Sequence, residues 1–148
     1  MTEEAAFASS VSSALATLAA SPAHPQIYVA AIPNLRTLYD VNATNSSARF
    51  TWSLLKICQS MLANPGNAAY DATRNQVQDR VNLYNAALQS ACSATTNCHF
   101  AATVGAQGAF VRSDISTRDY FHPSLAGQAK LAQIAATDPV WSPFIVVG

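Results

Sequence analysis

Apolar residues recur at Phe7, Val11, Leu15 and Leu18, in steps of four, four and three. That spacing predicts a helix over residues 3–20 with one apolar face. Thr2 stands at the N-cap position, and Glu3 and Glu4 place acids in the first turn. The stretch "SPAHPQ" ends the helix with two prolines. An apolar run, Ile27–Ile32 ("IYVAAI"), follows between Pro25 and Pro33 and predicts a strand buried on both faces. Helix, short turn and strand together make half of a βαβ unit.

Beyond Leu35 the pattern weakens. "YDVNATNSSARF" reads as a polar loop, and "TWSLLKICQSML" has helical spacing through Trp52, Leu55, Cys58 and Leu62. "ANPGNAAYD" reads as a second loop turning at Pro65–Gly66. A second strong helix is predicted over 72–91, with Val77, Val81, Tyr84 and Leu88 on its apolar face and Arg74, Gln78 and Asp79 on its polar face. "CHFAATV" is a weaker strand, and Gly105 and Gly108 open an irregular segment through Arg118. A last helix starts near Pro123, where a missing N–H costs nothing, and runs to about Ala136. Gly127 inside it costs up to about 1 kcal/mol relative to Ala, so its presence predicts close packing against another element.

Composition narrows the function classes. The length suits one domain, and charged residues make up 11% with zero formal net charge. No basic stripe exists to bind nucleic acid. No apolar run is long enough to span a bilayer. "MTEEAAF" lacks the basic n-region of a secretory signal. Cys92 and Cys98 flank a Ser/Thr/Asn loop, which predicts a local disulfide worth at most roughly 2–3 kcal/mol, or else two buried thiols in a reducing compartment. Cys58 is left over. The order C-x5-C-H, with His122 further on, matches no zinc spacing, so neither a metal nor a cofactor is expected. His24, between two prolines, reads as solvated and His99 as structural, while Trp52, Phe110 and Tyr120 would line an acyl pocket or form core.

The chemistry concentrates in "DYFHPSLAGQ", residues 119–128. If the chain turns between Asp119 and His122, the carboxylate accepts the imidazole Nδ1–H and leaves Nε2 free as a base. Imidazole, with an unperturbed pKa near 6.5, suits proton transfer at neutral pH. The bland reading of the same residues is a helix-capping Asp beside a surface His.

The wider pattern Asp-x-x-His-Pro-Ser-x-x-Gly-Gln resembles the C-terminal signature of the SGNH/GDSL-type hydrolases, the esterase and lipase superfamily. "IYVAAIPNL" resembles that family's fourth strand and the turn after it, and "CQSML" and "RVNLYNAALQSAC" resemble the middle region of its secreted members. The resemblance implies an α/β fold, a partial three-layer (flavodoxin-like) domain with a few parallel strands flanked by helices. It implies Asp119 and His122 as two members of a Ser-His-Asp triad acting on a small-molecule or lipid ester, in an extracellular protein. His122 would deprotonate the serine and later protonate the leaving alcohol. Neither a Gly-Asp-Ser nor a Gly-x-Asn-Asp motif occurs in the chain. The expectation is therefore a C-terminal half, inactive alone, whose nucleophile comes from a complementary N-terminal half or another chain. By the same resemblance Cys58 would be the partner of a missing cysteine. Missing flanking strands would expose apolar surface and a sheet edge, favouring self-association or pairing with the other half. The contrasting reading is a non-catalytic, mainly helical binding or interaction module.

Overall fold

The computed structural model of the chain describes residues 2–106 and 110–144. They fall into two compact units, one drawn from residues 2–33, 80–106 and 133–144, the other from 34–79 and 110–132.

In the first unit, helix α1 (Glu4–Ala19) buries Leu15, half-buries Phe7 and Val11, and leaves Leu18 exposed. Thr2 is not the N-cap. Glu3 holds that position without a side-chain bond. The Thr2 carbonyl instead accepts from the Tyr84 hydroxyl at 2.6 Å and from Arg80 at 3.2 Å. Phe7 stacks on Tyr84 with ring centroids 4.2 Å apart. After the turn at His24, strand β1 (Ile27–Ala30) pairs in parallel with β2 (Cys98–Ala101), Ile27 opposite Cys98 and Ala30 opposite Ala101. Expected burial on both faces gives way to a graded pattern, with Ile27 buried, Tyr28 and Val29 half-buried and Ala30 exposed. A strand with a single partner has too little sheet around it to be covered throughout.

The core of this unit is Leu15, Ile27, Ala91 and Cys92, with Val11, Val29, Cys98 and Phe100 packed against it. Helix α5 (Asp71–Ser93) supplies Ala91 and Cys92, and the Cys92–Cys98 disulfide ties its last turn to the first residue of β2. Asn85 on the same helix mimics a strand neighbour: its side chain accepts from the Ile32 N–H at 2.8 Å and donates to the Ile32 carbonyl at 3.0 Å. Beyond β2 the chain enters a short helix α6 (Thr103–Ala106) rather than continuing as strand. Gly108, expected in an irregular segment, lies outside the described residues.

The second unit is helical where the sequence pattern suggested loops. Helix α2 (Leu35–Asn42) is capped by Asn34, whose Oδ1 accepts from the Thr37 N–H at 2.9 Å. Helix α3 (Ser46–Leu55) is capped by Asn45, which accepts from Ser47 at 3.0 Å and Ala48 at 3.4 Å. A 3₁₀ turn at Ala68–Tyr70 is capped by Asn67 in the same way. Each asparagine satisfies backbone donors that a helix start leaves open, so a polar segment becomes three helix beginnings. The expected continuous helix through Cys58 breaks after Leu55. Lys56 and Cys58 take left-handed backbone angles, and a short helix α4 (Gln59–Leu62) follows.

Trp52, Met61 and Leu62 are fully buried in the core of this unit, beside Leu38, Tyr39, Val77, Phe110, Ile115 and Phe121. Arg74, expected on a polar helix face, is 1% exposed. Its guanidinium donates to the carbonyls of Met61, Ala63, Asn64 and Asn67 and to the Asp71 carboxylate at 2.8–3.1 Å, and lies 4.2 Å from the Tyr39 ring centroid. A charged group is tolerated there because all five of its N–H donors are used. The final helix α7 (Leu125–Thr137) begins close to the expected position. Gly127 is buried, and a Cβ on it would lie 2.1 Å from the Asp114 carbonyl oxygen, the close packing its presence implied.

These elements correct the expected fold class. Among the described residues 61% are helical and 7% are in strands, with a single two-stranded parallel sheet. This is not a partial flavodoxin-like SGNH fold. Apolar side chains are nonetheless exposed, notably Phe50, Leu54 and Leu55 on α3. No helix among the described residues is long and apolar enough to cross a membrane.

Candidate active site

The loop carrying Asp119 and His122 is closed at its base by an antiparallel bridge between Ile115 and Pro123. The Ser116 N–H donates to the His122 carbonyl and the Ser124 N–H to the Asp114 carbonyl, each at 2.8 Å. Ile115 and Phe121 drive the loop into the core, at 4% and 7% exposure. Between them the chain reverses at Tyr120, whose φ of 58° is left-handed. A non-glycine residue in that region needs surrounding contacts to hold it.

The reversal turns the Asp119 side chain towards the backbone of Phe121 and His122. Its Oδ1 accepts from the N–H groups of those two residues, both at 3.0 Å, and its Oδ2 meets His122 Nδ1 at 2.5 Å. The two residues that the sequence singled out are thus brought together. Partial burial pushes the Asp119 carboxyl up. The His122 hydrogen bond, the two backbone N–H groups and the imidazole charge together outweigh it, and the group is held below its ordinary value. An ionised carboxylate only accepts, so Nδ1 carries the proton and the Nε2 lone pair points away. The Asp119 side chain is 23% exposed and that of His122 68%, which leaves the ring accessible on its far side.

A cleft of about 370 Å³ flanks the loop, lined by Ser116, Arg118, Pro123, Ser124, Leu125 and Gln128. Both of its hydroxyls hold backbone. Ser116 Oγ accepts from the Arg118 N–H at 3.2 Å. Ser124 Oγ donates to the Ser113 carbonyl at 2.9 Å and accepts from the Gly127 N–H at 3.1 Å, capping α7. Among the described residues, no hydroxyl is hydrogen-bonded to Nε2 of His122. The arrangement can orient an imidazole and stabilise its cation, which is what general-base chemistry asks of a histidine.

Of the other residues weighed, Cys92 and Cys98 form the disulfide, Cys58 is a free thiol, and His99 Nε2 lies 2.8 Å from Gln26 Oε1. His24 is exposed in its turn. Trp52 and Phe110 are core, and Tyr120 packs half-buried against that core. Among the described residues no three or more His, Cys, Asp or Glu side chains gather as metal ligands. The sequence pattern missed Asp114, which is buried at the base of the loop, accepts from the Val111 N–H at 3.0 Å and pairs with Lys130 Nζ at 2.8 Å. Nothing in a single sequence signals a pair sixteen residues apart. Comparison with family models, with curated proteins and with solved structures gives no match.

Proposed function

We propose that this chain supplies the acid–base half of a Ser-His-Asp ester hydrolase, with Asp119 orienting His122 as general base and acid. The observation that supports it is the 2.5 Å contact between Asp119 Oδ2 and His122 Nδ1, made by a carboxylate whose other oxygen is already fixed by two backbone N–H groups. That geometry sets the tautomer and leaves Nε2 accessible, which proton transfer to and from a hydroxyl requires. The nucleophilic serine and the oxyanion donors come, on this reading, from residues outside those described, in a complementary polypeptide segment or a second chain. The substrate is a small-molecule or lipid ester. The Cys92–Cys98 disulfide favours an oxidising, extracellular setting.

The chain by itself should turn over p-nitrophenyl acetate no faster than buffer, since one oxyanion donor alone is worth roughly 10²–10³ in rate and the nucleophile is missing too. Adding a segment that bears a Gly-Asp-Ser motif should restore turnover, and His122→Ala should abolish it. Turnover that survives His122→Ala, or no turnover with any such segment, refutes the assignment. The second reading, a non-catalytic helical interaction module, draws support from the helical content and from exposed Phe50, Leu54 and Leu55 on α3. It expects Asp119 and His122 to be dispensable for whatever the chain binds.

A further inference from the structure

Two polar side chains in the core of the second unit have no packing reason to be polar. Trp52 is fully buried, and its one polar atom, Nε1, donates to the Asp119 carbonyl at 2.9 Å. Asn42 is also fully buried. Its Nδ2 donates to the Tyr120 carbonyl at 3.4 Å, and its Oδ1 is buried without a hydrogen-bond partner. A phenylalanine and a leucine would fill similar space without burying donors, and a buried polar group is costly unless bonded. The two carbonyls served are consecutive, and they belong to the loop's reversal, where Tyr120 takes its left-handed backbone.

We infer that Trp52 and Asn42 are positioning residues for the acid–base pair: together they clamp the Asp119 and Tyr120 carbonyls and so fix the reversal that aims the Asp119 carboxylate at His122 Nδ1. The inference rests on the proposed role of that pair. The donors come from separate helices. Trp52 lies on α3, its ring 5.8 Å from that of Tyr39, and Asn42 is the last residue of α2. If the Asp119–Tyr120 peptide rotated, its carbonyl would lose the indole N–H. The torsions leading to Phe121 and His122 would change with it. The two N–H groups bonded to Oδ1 would then move away, and Oδ2 would lose its aim. Loop rigidity at this site is therefore set by two part-buried hydrogen bonds whose donors lie 67 and 78 residues away in sequence.

The test is the state of the imidazole, read by ¹H and ¹⁵N NMR on the whole chain. The wild-type neutral ring should be held as the Nδ1–H tautomer, with a low-field Nδ1–H resonance. Trp52→Phe keeps a buried ring and deletes the donor. It should lose that resonance and shift the ring to a mixture of tautomers, and Asn42→Leu should do so in part. Should Trp52→Phe fail to fold, benzothienylalanine at position 52, which replaces the N–H by sulfur at nearly constant shape, gives the same readout. Val77→Ala, a cavity in the same core, should leave the resonance in place. An unchanged tautomer on removing the position-52 donor, or its equal loss in Val77→Ala, overturns the inference. The readout is independent of turnover, so a failed ester assay would not be mistaken for a failed clamp.

Discussion

Gly127→Ala sets two effects of opposite sign against each other at one atom. Alanine is the better helix former by about 0.8–1 kcal/mol, so on an exposed helix the change would stabilise. Here the added Cβ would lie 2.1 Å from the Asp114 carbonyl oxygen and 3.1 Å from both the Asp114 carbonyl carbon and the Pro123 Cβ. Carbon–oxygen contact needs about 3 Å or more, so helix and loop base must separate by roughly 1 Å. The obstacle is backbone and cannot rotate aside. That carbonyl accepts the Ser124 N–H at 2.8 Å, within the ladder that closes the Asp119–His122 loop. Overpacking of this kind costs about 1–3 kcal/mol, and a contact this short belongs at or beyond the upper end. Subtracting the propensity gain leaves a net loss of about 2 kcal/mol. Urea unfolding followed by far-UV circular dichroism should show the midpoint falling by about 1 M with an unchanged slope. The His122 Nδ1–H resonance should broaden as the loop base loosens. An alanine variant as stable as the wild type, or more so, would refute the packing argument.

Two further outcomes concern buried charge. Arg74→Met should cost about 3–5 kcal/mol in the same urea experiment, because it removes five hydrogen bonds, to four backbone carbonyls and the Asp71 carboxylate, although the Asn64 and Asn67 carbonyls keep the Asn67 and Tyr70 N–H groups and Asp71 keeps Arg36. Arg74→Lys, with three donors in place of five, should recover only part of that loss, and full recovery would mean the fork geometry is unimportant. For pH, the Lys130 hydrogen bond and the Val111 N–H hold the Asp114 carboxyl below its ordinary value against the opposing effect of burial. A carboxyl depressed on folding contributes stability that is complete above its unfolded pKa, about 3.9, and is lost as pH falls through the lower folded value. Urea midpoints should therefore hold steady near neutrality and drop below about pH 4, with a shallower drop in Asp114→Asn. An equal drop in both proteins would place the acid sensitivity elsewhere.

The parts of the fold legible in the sequence are those set by local pattern. Helices α1 and α5 follow from apolar periodicity over many residues, α7 from the proline near its start, and the disulfide from two cysteines around a short polar loop. The segment from Asn34 to Leu55 is harder to read because asparagines signal loops and helix caps alike, and only the residues after them decide between the two. Arg74 belongs in solvent by residue type alone. Its burial depends on carbonyls presented by a turn whose shape cannot be read from the arginine's own helix. The three-layer expectation fails for a related reason. An apolar hexapeptide is compatible with a central strand, but a strand becomes central only if other strands arrive, and among the described residues β1 has one partner.

The Asp119–His122 contact is legible for the opposite reason. Asp119 and His122 are three residues apart, and a carboxylate that captures the N–H groups of Phe121 and His122 needs little from the rest of the chain to meet the ring. Such a turn can recur on unrelated scaffolds, so its presence carries information about chemistry and little about fold. That is why the fold expectation could fail while the predicted contact formed. What the local pattern does not supply is persistence. The left-handed backbone of Tyr120 is costly, and a loop held only by its own Asp turn would sample other states. The hydrogen bonds from Trp52 and Asn42, and the Gly127 contact under Asp114, are the long-range interactions that favour one state over the rest. A sequence can therefore reveal a carboxylate–imidazole contact before its scaffold, while the residues that make the contact rigid emerge only from tertiary packing.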